Sequence, residues 1–183
     1  MQHAAFNILT NPISIIVIGW LAIYLFLVLF IFFYKYLGLS SWLKKEQEAL
    51  NAVYMVQDNF PVNSSLYPCL QKARKINEYT FDACIEEVKR KAQKGLVFLS
   101  IIASTAPFIG LFGTVVGILN AFAGMKSVST LNMIAPAIAD ALIATAIGII
   151  VAVPAYSFHQ ILMDKVEDLL AILKMEKDIY LSK

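Results

Sequence analysis

Charged side chains vanish from the chain over three long stretches. Ile13–Tyr34 carries no charge and no proline, and Gly19 is its only glycine. Gly95–Phe122 carries no charge either, and Leu131–Phe158 carries one, Asp140. A helix needs ~20 apolar residues to cross a bilayer core, so each stretch predicts a transmembrane helix. The first is too long for a signal-peptide core, has no basic region before it and no small-x-small cleavage pattern after it. Tyr34 and Tyr36 fall where an interfacial aromatic belt sits.

Between these stretches the pattern becomes amphipathic. Leu43, Leu50, Val53, Tyr54 and Val56 predict a helix starting after Ser40-Ser41, and Pro61 and Pro68 punctuate the segment beyond it. From Phe81 the apolar positions Cys84, Ile85, Val88 and Ala92 recur at helical spacing and run into the second span without an apparent breaker. Leu162, Val166, Leu169 and Leu173 carry the third span's helix onward into the tail. The expected fold is all-α, with three transmembrane helices and the second and third extended into a cytoplasmic helical bundle. The charged stripes read as solvated outer faces of that bundle.

Charge sets the direction. Ten basic residues lie between Lys35 and Lys94, four more come after the third span, and only Lys126 occupies the link between spans two and three. The positive-inside rule then puts the N-terminus outside and the loop and tail in the cytoplasm. The expected layout is a periplasmic N-terminus (1–12), span one (13–37), a cytoplasmic helical loop (38–94) and span two (95–122). A periplasmic link (123–130), span three (131–158) and a cytoplasmic C-terminal helix (159–183) complete it.

Composition sharpens this reading only slightly. The hydrophobic share of 59% exceeds that of a soluble domain, and mean hydropathy is +0.69. A net charge of +2 argues against a nucleic-acid partner. Cys69 and Cys84 have neither CxxC nor metal-ligand spacing, and a cytoplasmic loop keeps thiols reduced, so both are expected to be free packing residues. The sequence offers no nucleotide, metal or covalent-cofactor site.

Spans two and three differ from the first in carrying small-residue seams. Ala103, Pro107, Gly110, Thr114, Gly117 and Ala121 form one, with Gly113 beside it. Ala137, Ala141, Thr145, Gly148, Ala152 and Ala155 form the other. Small side chains let backbones approach in lipid, whether inside one subunit or around a pore. Pro107 and Pro154 each remove a helical hydrogen bond and invite a bend.

Asp140 costs ~2.5–3.5 kcal/mol at a helix centre on insertion scales, and it lies about 13 Å deep by its distance from the helix end. No basic residue in the three spans can pair with it, so it is protonated, hydrated, or paired with another chain. Thr114 and Thr145 can line a water path or bond back to a carbonyl one turn earlier. Thr145 lies about 140° around the helix from Asp140, so the two do not share a face. An intramembrane hydrolase is disfavoured, because His3 and His159 fall outside the spans and leave Ser100 and Ser104 without a base. A structural scaffold is the remaining alternative, in which Asp140 and the threonines only pack.

The run PFIGLFGTVVGILNAF (Pro107–Phe122), succeeded by APAIADALIATAIGIIVAVPA (Ala135–Ala155), resembles the paired core of the MotA/TolQ/ExbB proton channel family. Three spans fit its ExbB/TolQ branch rather than the four-span flagellar stators, and Asn120 is nearer to ExbB. The resemblance implies a non-enzymatic inner-membrane subunit that assembles as a pentameric ring around a single-span ExbD/TolR-like partner. That partner's membrane aspartate carries the proton, and the ring residues at Thr114 and Thr145 line its path. Work then passes to a TonB- or TolA-like protein. This chain departs from the family pattern at Asp140, usually Glu, at Ala137, usually Gly, and at His159-Gln160, usually Tyr-Asn.

Overall fold

The computed structural model describes residues 12–55, 60–73, 75–123 and 131–182, with backbone alone at 12–14, 131–134, 136, 137 and 140. Five helices occur among the described residues: α1 (Pro12–Met55), α2 (Tyr67–Leu70), α3 (Glu78–Gln93), α4 (Leu96–Ala123) and α5 (Leu131–Leu181). The all-α expectation holds, and three helices are long and apolar enough to cross a membrane. The expected N-terminal segment before Pro12 and the link at 124–130 lie outside the described residues.

Two expectations about helix ends fail. Ser40-Ser41 does not start a new helix, because α1 runs unbroken through it for 44 residues. With a helical turn already formed on their N-terminal side, the serines have no free amides to cap. The apolar pattern leading into span two does meet a breaker, since Gly95 adopts φ +93° between α3 and α4. Only glycine takes that conformation without steric cost. Periodicity passes over the glycine; the backbone does not.

The chain divides into two compact units. The first comprises Met1–Ile31 and Phe98–Phe158. Its core is Val17, Leu21 and Val28 of α1, Ile102 and Ala106 of α4, and Ala144, Val151, Ala152 and Ala155 of α5. Large apolar side chains face outward around it, among them Phe26, Phe30, Phe108, Phe112, Leu142 and Ile150. That inversion of the soluble pattern is what a lipid surround permits.

The second unit comprises Phe32–Val97 and His159–Lys183. Here burial matches the stripes read on α3 and α5; of the stripe read after Ser40-Ser41, Leu50 and Val53 are buried, Tyr54 is exposed and Val56 lies outside the described residues. Phe81, Cys84, Ile85, Val88 and Ala92 of α3 are buried, as are Leu162, Val166, Leu169 and Leu173 of α5. Asn77 caps α3 by accepting from the Thr80 amide at 2.9 Å, and Glu78 in the first turn and Arg90 and Lys91 in the last suit the helix dipole. Phe60, Phe81 and Tyr180 form an aromatic triangle with centroids 5.4–5.7 Å apart. Lys177 of α5 reaches Asp82 at 2.9 Å and Glu78 at 3.6 Å on α3.

The cysteines require a correction. Cys69 of α2 and Cys84 of α3 are joined as a disulfide, not held as separate thiols. Their Cα atoms lie 5.7 Å apart, within the span a disulfide bridges. Their spacing of 15 residues matches no local motif, so only the folding of α2 against α3 brings them together.

Candidate functional site

The small-residue seams meet each other inside the first unit. A Cβ added at Gly110 of α4 would sit 2.7 Å from the Ala144 carbonyl oxygen and 2.9 Å from the Thr145 Cα. One added at Gly148 of α5 would sit 2.7 Å from the Ala106 carbonyl oxygen and 3.2 Å from the Gly110 Cα. The α4 and α5 backbones therefore touch at this pair of glycines, leaving no room for any side chain. One and two turns further along α4 the fit loosens to side-chain contact. A Cβ at Gly113 would meet Ala144 Cβ at 3.0 Å and Val17 at 3.1 Å, and one at Gly117 would meet Ala141 Cβ at 3.0 Å. Within this chain these glycines and alanines bring α4 against α5. Pro107 and Pro154 sit half-buried on the same two helices, which continue through both.

Thr145 borders this contact through its Cα and Thr114 lies one turn beyond Gly110 on α4, but the two differ in chemistry. Thr114 is 6% exposed, and its hydroxyl donates to the Leu111 carbonyl at 2.6 Å. Ser104, Thr105 and Ser157 bond back in the same way, to carbonyls three or four residues earlier. This is the usual resting state of a hydroxyl in a membrane helix. Thr145 departs from it: its Oγ1 is buried and has no hydrogen-bond partner. A buried hydroxyl left unpaired costs about 1–3 kcal/mol, so the fold of a single chain leaves a polar demand at this position. Asp140 lies on α5, and its side chain is outside the described residues.

A backbone-tight glycine pair, a back-bonded threonine and an unsatisfied threonine thus lie within the stretch of residues 110–148. The model of the MotA/TolQ/ExbB proton channel family matches residues 61–175, which include all of them. The chain belongs to this family. It is 40% identical over 177 residues to the putative biopolymer transport protein ExbB-like 1 of Helicobacter pylori, covering 93% of this chain and 92% of that protein. Similarity to the Tol-Pal system protein TolQ of Pseudomonas aeruginosa is 51% over 73 residues, 39% of this chain and 32% of the relative. Similarity to the biopolymer transport protein ExbB of Pseudomonas putida is 47% over 74 residues, 39% and 22% of the two chains. The protein is accordingly a proton-channel subunit of the ExbB/TolQ branch, located in the bacterial inner membrane.

A second polar group is not apparent from the sequence. Glu46 of α1, Ser64 of the 60–66 loop and Glu176 of α5 are buried together in the second unit. Ser64 Oγ lies 2.8 Å from Glu46 Oε1 and 2.7 Å from Glu176 Oε2. Burial, reinforced by the nearby Glu46 and opposed by the Ser64 hydrogen bond, raises the Glu176 pKa to about 8. The expectation that the bundle's charges are all solvated therefore fails at these two glutamates. The legible signal is their spacing, since Glu46 continues the stripe of Ala49, Leu50 and Val53, and Glu176 that of Leu169 and Leu173.

Proposed function

We propose that this chain forms the proton-conducting ring of an ExbB-like complex that couples proton-motive force to TonB-dependent uptake at the outer membrane. The observation that carries the proton path is the Thr145 hydroxyl, buried and without a partner in a single chain. Such a group asks for water or for a carboxyl from another chain. In the assembly a single-span ExbD/TolR-like partner would supply its membrane aspartate there, and Thr114 would flank the path. Asp140, on another face of α5, would act at a subunit boundary. The pentameric ring, the N-out orientation and the absence of enzymatic activity belong to this proposal. Delivery of the work to a TonB-like protein belongs to it as well.

Likeness over nearly the whole chain to a protein named ExbB-like favours this branch. A TolQ-like role in outer-membrane integrity is the second reading, supported by the high local identity to a Tol-Pal protein.

Affinity extraction from the native membrane through a C-terminal tag, coupled to mass spectrometry, tests the proposal. The expected companion is a small single-span protein with an aspartate in its span. Co-isolation of a TonB-like protein favours nutrient uptake, and a TolA-like one favours the second reading. A lone homo-oligomer, recovered under conditions that preserve other membrane complexes, overturns both.

A further inference from the structure

Hydrogen atoms do not balance in the Glu46–Ser64–Glu176 cluster if both acids are ionised. Ser64 has a single hydroxyl hydrogen, yet its oxygen lies at hydrogen-bond distance from both carboxyl groups. That oxygen also accepts from the Leu66 amide at 3.2 Å. For both carboxyl contacts to be hydrogen bonds, one acid must bring a proton of its own.

The surroundings say which. Glu46 accepts from the Ser65 amide at 2.9 Å and from the Ser65 hydroxyl at 2.6 Å, besides Ser64. Trp42 Nε1 in turn donates to Ser65 Oγ, which leaves the Ser65 hydrogen for Glu46. This is the environment of a carboxylate. Glu176 has Ser64 alone, and its Oε1 is buried with no partner. No described cation turns toward it: its neighbour Lys177 is taken by Glu78 and Asp82 of α3. Glu46 is the charged group that acts on it, and with the same sign. Tyr180, one turn on, packs in the aromatic triangle with Phe60 and Phe81.

We propose that Glu176 is a proton-binding site whose bound proton fastens the 60–66 loop to α1 and to the C-terminal end of α5, so that alkaline pH releases the loop. With the proton on Oε2, Glu176 donates to Ser64, Ser64 donates to Glu46, and one chain of bonds ties three segments. Loss of the proton leaves two buried carboxylates competing for one hydroxyl, and the cluster opens to water. Linkage gives the sign. The closed cluster holds its proton up to about pH 8, whereas an opened, hydrated Glu176 releases it at the ordinary carboxylate value of 4.5. Opening therefore releases a proton and grows easier as pH rises between these values, then no further. The device stands independently of the channel reading, since it involves none of the membrane residues.

Two measurements on the full chain in lipid nanodiscs test it. The first is amide hydrogen exchange of Ser64, Ser65 and Leu66, corrected for the intrinsic pH dependence of exchange. Protection of the wild type is expected to fall by up to about tenfold per pH unit as pH rises from 4.5 toward about 8, and to level off above that. Glu176→Gln, whose amide donates to Ser64 at every pH, is expected to show no such slope. A flat wild type, or an equal slope in the variant, overturns the proposal. The second needs no variant at Glu176. In an Asp140→Asn background, infrared spectra should show a protonated carboxyl that titrates near pH 8; its absence at neutral pH overturns the proposal as well.

Discussion

Two buried polar demands in this molecule are met in opposite ways. At the α4–α5 contact of the first unit, glycines bring backbones together, and the hydroxyl of Thr145 beside them is left without a partner. In the second unit, two carboxyl groups are buried outright, yet serines and an amide, with the proton proposed above, satisfy every oxygen but Glu176 Oε1. Single-chain folding gives the second network all its partners but one, at Glu176 Oε1, and gives the Thr145 hydroxyl none. An interior largely finished by its own chain serves to hold segments together, whereas a hydroxyl left with no partner at all points to water or another chain. The contrast also separates what each region tolerates. The glycine contact is limited by volume, the glutamate cluster by hydrogen-bond count.

The largest expected effect tests the volume limit. Gly148→Ala places a methyl group 2.7 Å from a backbone oxygen that has no side-chain freedom to yield, and should destabilise the first unit by about 3 kcal/mol or more. Gly19→Ala, where an added Cβ meets nothing within 4 Å, is the control. Thermal unfolding in detergent should separate the two clearly, and equal tolerance of both would mean that α4 and α5 do not touch as described.

Next comes the hydrogen-bond limit. Glu46→Ala strips the Ser64 and Ser65 hydroxyls and the Ser65 amide of their acceptor, at an expected cost of about 2 kcal/mol. It should also lower the Glu176 pKa, because the like charge that helps to raise it is gone. Unchanged stability would show that water replaces the carboxylate freely, contrary to a network held within the chain.

The smallest effect on stability should accompany the largest on function. Thr145→Val keeps the shape and removes the unpaired hydroxyl, so stability should change by no more than about 0.5 kcal/mol or rise. Proton-coupled uptake should nevertheless be lost in cells that accumulate the variant normally. Retained uptake would return Thr145 to a packing role and remove the contrast between the two regions.

Much of this protein is legible along the chain. Hydropathy alone specifies three spans, since the bilayer core demands continuous apolar length whatever the fold. Helical periodicity identifies the buried stripes of α3 and the end of α5, and the clustering of small residues marks the α4–α5 seam. These are local or near-local signals. Which threonine keeps a free hydroxyl is not among them, because Thr114 and Thr145 are the same residue on similar helices. The disulfide of Cys69 with Cys84 and the burial of Glu46 and Glu176 likewise depend on register between segments far apart in sequence. The passage of α1 through Ser40-Ser41 is decided by the helix on either side, not by the serines' own propensities. Sequence sets which faces are apolar, because that is a property of spacing. Tertiary structure alone sets which polar atoms find partners, because a hydrogen bond requires two particular atoms within about 3 Å of each other.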